Sequence, residues 1–330
     1  MPDNPQNTPS RAPMVESGAE SGRQAHLASE WFALPDHSIL TLEGRDAVAF
    51  VQAQLMNDVM AVADGGWQWT GWLTPKGRVI ALFALLRPAP DTVWLLVPDA
   101  DPAELAERLR RFVFRSKLTI TVRADLCVCG RFAPAHAGVE EGMTADERNN
   151  RILVLPEGGL LLDVGGDGGP RSLRISIDAA PDAQAAIAEW RRYDLSHGWP
   201  RLDASQREQW TPQQLSLDRL RAFSVKKGCY PGQEIVARTH FLGQAKRGLG
   251  LVDTDNPAQP GDPLREGDDA EAPVIGTVVC AEGRRALAVL PLQREATVEA
   301  GGGVDGAETT RPAQGGASWR QVGLTGGLER

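Results

Sequence analysis

Lys227-Gly228-Cys229-Tyr230-Pro231-Gly232-Gln233-Glu234 sets one cysteine between two glycines, with Lys226 and Lys227 just ahead of it. Glycine permits positive φ and close backbone approach, and Pro231 stiffens the stretch between the two. The pattern predicts a tight loop that displays Cys229 instead of packing it along a strand. Arg238 follows soon after, and nearby cations favour the thiolate. A displayed thiol among cations can act as a nucleophile, a redox group or a soft metal ligand. The plainer alternative is a structural cysteine buried near a turn. Tyr230 offers a ring to stack and a hydroxyl to anchor. Gln233 and Glu234 offer hydrogen bonds to the turn or to a ligand, and the residues alone do not separate the two.

Around this loop the charge is uneven. From Arg219 to Arg247 seven cations stand against the single carboxylate of Glu234, a local balance of +6 in a chain whose net charge is −8. The overall sign argues against a general nucleic-acid binder, while the patch suits an anionic ligand or an anionic partner surface. A solvated face balanced by carboxylates from elsewhere fits equally well. The other cysteines are Cys127, Cys129 and Cys280. Cys127 and Cys129 would share one face of a strand, and with only five histidines in the chain a pair of small core residues is a better reading than a metal site. Neither a disulfide framework nor a resident metal is expected.

Further out, the 330 residues suffice for two or three packed units. The longest apolar run, Val79 to Leu86, is far shorter than the roughly 20 residues a membrane helix needs. The opening Met-Pro-Asp-Asn-Pro-Gln-Asn-Thr has no basic start and no apolar stretch, so a cytoplasmic location is expected. Residues 1–29 read as a disordered tail and 300–330 as a flexible one, although Trp319 could dock. Between them, Ser38–Glu43, Trp67–Leu73, Arg78–Leu86, Thr92–Val97 and Lys117–Arg123 read as strands. Asp46–Asn57 reads as a helix with Val48, Val51 and Leu55 on one face. Asp101-Pro102-Ala103-Glu104 opens a second helix with its cap, N1 proline and capping-box Glu, carrying Leu105, Leu109 and Phe112 inward. Ala133–Asn150 reads as a loop. Short strands at 151–155, 160–164 and 172–177 precede a helix over 182–195, along which Trp190 and Asp194 share a side. After Arg247, short strands between Gly, Pro and Asp turns predict a small barrel. The fold class is therefore α+β.

The loop belongs to a longer pattern: His197-Gly-Trp-Pro-Arg-Leu-Asp, Gln209-Trp-Thr-Pro-Gln-Gln, the segment from Ser224 to Arg238, and Gly243-Gln-Ala-Lys-Arg-Gly-Leu. This resembles the YgfZ family, whose signature Lys-Gly-Cys-Tyr-x-Gly-Gln-Glu appears at 227–234 without a gap. Gly44-Arg-Asp-Ala, Gln54–Val59, Thr74–Arg78 and Phe114–Thr119 look like that family's N-terminal half, so the resemblance covers about residues 31 to 295. It implies a fold like that of the glycine-cleavage T-protein, a GcvT-like folate-binding fold with two packed α+β units and a C-terminal β-barrel. The implied layout is a folate-binding region over 30–245, in two interleaved subdomains, and a barrel over 246–299. The implied function is a folate-binding accessory protein that supports assembly or repair of iron–sulfur clusters in client enzymes, tRNA-modifying ones included. Tetrahydrofolate or another reduced folate is the implied cofactor. The implied partners are iron–sulfur clients or cluster-assembly factors, with no direct nucleic acid and no membrane.

By the same resemblance Cys229 is the functional thiol, and Trp190, Lys227, Tyr230, Gln233, Glu234 and Arg238 are the candidates for folate. An indole can stack on a pterin, but a core position in the 182–195 helix is the better reading of Trp190 from the residues alone. A second family tryptophan falls on His37 here. The T-protein's acidic pair falls on Ala81-Leu82, neither of which can hold a proton. Aminomethyl or one-carbon transfer is therefore the alternative function expected to be absent, and a ligand-free interaction module is the third.

Overall fold

The computed structural model describes residues 30–135, 150–156, 158–166, 168–243, 245–267, 271–292, 319–322 and 324. Among the described residues three five-stranded sheets carry the fold. The first runs in the order β3-β4-β5-β2-β6, built from β2 (His37–Glu43), β3 (Gly66–Leu73), β4 (Val79–Ala89), β5 (Thr92–Pro98) and β6 (Thr119–Val122). The second, β1-β7-β10-β9-β8, joins β1 (Phe32–Ala33) to β7 (Cys127–Arg131), β8 (Ile152–Val154), β9 (Leu160–Asp163) and β10 (Ser172–Ser176). The chain thus enters through the second sheet before building the first, and the two units are interleaved. The third, β12-β13-β14-β11-β15, contains β11 (Arg247–Thr254), β12 (Pro263–Arg265), β13 (Val274–Glu282), β14 (Arg285–Pro291) and β15 (Trp319–Val322).

The described strands of the third unit form one antiparallel sheet with β12 and β15 at its ends. One expectation changes here. Residues 319–322, expected in a flexible tail, pair antiparallel with β11 from Leu251↔Val322 to Thr254↔Trp319. The predicted tails at 1–29 and, apart from residue 324, over the rest of 300–330, and most of the loop expected at 133–150, lie outside the described residues.

The run Val79 to Leu86 is apolar throughout because β4 is buried on both faces. Val79, Leu82, Ala84 and Leu86 join a central core shared by all three sheets. Ile80, Ala81, Phe83 and Leu85 join the helix-covered core on the other side. Strict alternation breaks at Ile80-Ala81, and the pairing shows why: Trp72 faces Ala81 while Leu73 faces Val79. The extra residue, Ile80, is a β-bulge that resets which side chains reach the centre.

The helices covering the first sheet are α1 (Ala47–Gln54) and α2 (Pro102–Arg110). In α2 the expected cap forms, with the Asp101 carboxylate accepting from the Ala103 and Glu104 amides. Leu105 and Leu109 are buried, but Phe112 lies past the helix end and is 42% exposed. α1 stops at Gln54, short of the Asn57 expected, because Leu55 turns to extended backbone and bridges to Trp72. α3 (Gln184–Ser196) buries Ala186, Ile187, Trp190, Asp194 and Leu195. α4 (Gln233–Phe241) follows the glycine-bracketed loop.

Candidate functional site

The loop ahead of α4 is braced from beneath and open above. Gly232 adopts φ 82°, and a Cβ there would meet the Thr74 carbonyl at 2.6 Å and the Gly77 Cα at 2.8 Å. The loop therefore lies directly on the turn of the β3–β4 hairpin, where Gly77 also has positive φ. Only glycine allows that approach in that conformation. On the open side Cys229 is exposed, and nothing lies within 4 Å of where a Gly228 side chain would start.

Lys227 points the other way. Its ammonium is buried and donates to the carbonyl oxygens of Gln52 at 2.5 Å, Leu55 at 2.6 Å and Asn57 at 2.9 Å. Gln52 lies in the last turn of α1, where the helix leaves carbonyls without partners and a cation is favoured, while Leu55 is its cap and Asn57 lies in the segment just beyond. The ammonium also lies 5.0 Å from the centre of the Tyr230 ring. Burial pulls the Lys227 pKa down to about 8, with Asp58 opposing. Tyr230 is buried too, donates its hydroxyl to the Ser224 carbonyl at 3.2 Å, and has its pKa pushed up to about 12 by burial. The Gln233 amide donates to the Lys227 carbonyl at 3.1 Å. Lys227, Tyr230 and Gln233 thus build the turn. Glu234 and Arg238 project from α4 into solvent.

The remaining candidate lies elsewhere. Trp190 is 2% exposed, with the Arg171 guanidinium 4.6 Å from its ring centre and Phe32 edge-on at 5.9 Å. With His37, Trp69 and Trp199 it lines a cavity of about 20 Å³, room for about one water molecule. Trp69 and Trp199 pack with ring centres 4.1 Å apart. His37 and Trp190 do line one space, as a paired clamp would, but a pterin does not fit that space in this conformation.

The sequence reading missed the charged hub beside the cavity. Arg201 donates to both oxygens of Asp99, to Asp36 at 2.7 Å and to Asp194 at 3.1 Å. Asp194 also accepts from Arg171 at 2.7 Å. Burial opposes the charge on Arg201, yet the three carboxylates hold its pKa well above the ordinary arginine value. Burial likewise opposes the charge on Asp36, and His37 and Arg201 more than offset it, holding that carboxyl well below the usual range. Arg201 was visible in the Trp-Pro-Arg-Leu-Asp stretch; its partners, far away in sequence, were not.

Ala81 and Leu82, where an acidic pair was sought by resemblance, are each only 4% exposed. The Ile80 bulge turns Leu82 toward the central core and leaves Ala81 on the helix side. The Asp58 carboxylate caps the short turn that follows α1, accepting from the Met60 amide at 3.2 Å and from the Gln52 side-chain amide at 3.0 Å.

No family model matches the chain. It is 30% identical over 239 residues to the tRNA-modifying protein YgfZ of Cronobacter sakazakii, covering 68% of this chain and 71% of that one. It is 28% identical over 242 residues to the protein of the same name from Escherichia coli O157:H7, covering 69% and 73%. An uncharacterized Haemophilus influenzae protein is 26% identical over 257 residues, covering 77% and 84%. Among solved structures, the glycine-cleavage aminomethyltransferase T of Bartonella henselae superposes with a TM-score of 0.62 over 91% of this chain and 87% of that one, at 15% identity. At that identity the likeness establishes the fold and nothing more. With its signature loop seated on the hairpin turn and its sequence aligned over two thirds of its length, the chain belongs to the YgfZ family.

Proposed function

We propose that this chain is a cytoplasmic folate-binding accessory protein that supports iron–sulfur cluster assembly or repair in client enzymes, tRNA-modifying enzymes among them, with Cys229 as its working group. The observation that carries the reading is the exposed thiol on a turn held in place by four of its neighbours: Lys227 bonds to α1, Tyr230 to Ser224, Gln233 to Lys227, and Gly232 rests on the hairpin. A side chain displayed so deliberately and left without a structural task is available for chemistry or for a partner. The name carried by the relatives supports the client class.

Folate rests on the family and on the aromatic, partly polar lining of the central cavity. The closed cavity is too small for a pterin, since ligand pockets run to about 300 Å³ or more, so binding requires the cavity to open. Transfer chemistry is not proposed, because Ala81 and Leu82 supply no carboxylate.

The test is Cys229→Ser in cells lacking the chain, read by the activity of iron–sulfur tRNA-modifying enzymes. The variant is expected to fold and to fail, since a hydroxyl is neither ionised near neutral pH nor a soft ligand. Thiol labelling should find Cys229 fastest and Cys280, whose pKa burial pushes up to about 12, among the slowest. Full restoration by the serine variant refutes a role for the sulfur. Titration with tetrahydrofolate, followed by tryptophan fluorescence, should saturate; a flat titration removes folate and leaves the interaction module.

A further inference from the structure

Beyond Cys229, the far end of α4 borders a cleft of about 530 Å³. Among the described residues four cations line it, Arg78, Arg238, Lys246 and Arg247, and no carboxylate does. Arg78 is partly held by the Gln209 carbonyl and Gln214, and Arg247 by the Ile275 carbonyl. The side chains of Arg238 and Lys246 make no ion pair or hydrogen bond among the described residues. In a chain of net charge −8, such a group without counter-charges is an electrostatic site in need of an anion.

The cleft is also apolar at its lip. Leu242, part of the lining, is 85% exposed, and its neighbour Phe241 is 66% exposed. Leu292, whose backbone amide donates to the Lys246 carbonyl at 3.0 Å, is 52% exposed. Adjacent large apolar side chains in water beside unpaired cations are the composition of a protein contact. A small anion or a chain of glutamates alone would neutralise the cations and leave Phe241 and Leu242 wet. Nucleic acid, charged along its whole length, would meet repulsion from the acidic chain beyond the cleft, which a short acidic segment avoids.

We propose that this cleft is a docking groove for an acidic segment of a partner protein, one that presents a large apolar side chain to Leu242 and Phe241. The groove and the Cys229 loop sit at opposite ends of one nine-residue helix, about 13 Å of rise. A segment seated there delivers its protein beside the exposed thiol. The inference names the partner surface of the proposed function but does not depend on folate.

The probe is a fluorescein-labelled acidic peptide containing Leu and Phe, titrated into the full chain by anisotropy. Oligo-glutamate and single-stranded oligouridylate of equal charge serve as comparisons. The Leu–Phe peptide is expected to bind more tightly than either, to weaken as salt rises, and to lose about tenfold or more in affinity in Lys246→Glu and in Leu242→Asp. Both side chains are exposed, and circular dichroism checks that each variant folds. Tetrahydrofolate titration of the same variants should be unchanged, which separates failure of the groove from failure of the folate reading. Equal binding of oligo-glutamate, tighter binding of the RNA with loss in the same variants, or peptide binding indifferent to Lys246→Glu and Leu242→Asp each overturns the proposal.

Discussion

Replacing Lys227 with Met tests whether the signature lysine is a structural clamp. The methionine fills similar space without a donor. Two of the three carbonyls the ammonium serves, those of Leu55 and Asn57, accept it in buried surroundings. Removing a donor from buried acceptors costs about 1–3 kcal/mol for each. Relief from burying a charge offsets part of this, so a net loss of about 3 kcal/mol is expected. Lys226, its exposed neighbour, is the control: Lys226→Met should shift stability by no more than about 0.5 kcal/mol. Urea unfolding of the three proteins side by side gives the comparison. The pH dependence adds a second reading. The folded pKa of about 8 lies below the ordinary lysine value of 10.5, so between those values the unfolded chain holds more protons at this site. Stability from Lys227 therefore rises with pH across that window, and Lys227→Met should lack that rise. If Lys227→Met matches Lys226→Met in midpoint and slope, the clamp is not what holds the end of α1 and the reasoning fails.

Two more outcomes follow from the same geometry. Gly232→Ala puts a methyl group within 2.6 Å of the Thr74 carbonyl at φ 82°; it should cost about 2 kcal/mol or more, and an unchanged melting temperature would mean that the loop does not rest on the hairpin. Arg201→Met leaves Asp36, Asp99 and Asp194 facing one another without their shared cation, with an expected loss of about 3–5 kcal/mol. The depressed Asp36 carboxyl contributes stability above its unfolded value that fades as pH falls, so the deficit of the variant should narrow in acid. A deficit that is constant with pH would count against the hub.

The sequence made the local devices legible and hid the long-range ones. The Asp101 cap and the displayed Cys229 each depend on residues within a few positions of one another. Lys227 beside a cysteine reads as a cation that tunes a thiol. Its true acceptors lie 170 to 175 residues away, and backbone carbonyls leave no mark in a sequence. The Ile80 bulge is invisible because every residue around it is apolar, so no alternation exists to be broken. Phe112 followed the helical spacing of Leu105 and Leu109, but the helix had already ended. The strand at 319–322 is invisible because its four residues sit among glycines and gain order only by pairing with β11.

Arg201 bears on how the chain can be divided. Its counter-charges come from just before β2, just after β5 and from α3, while the Cys280 thiol of β13 meets its backbone. No contiguous fragment limited to one sheet contains the whole set. Splitting the chain would strand either a guanidinium or three carboxylates in an apolar interior. The three sheets resemble separable modules, yet inheritance must treat them as one piece: a shuffled or permuted relative has to bring all four charges together or lose them together.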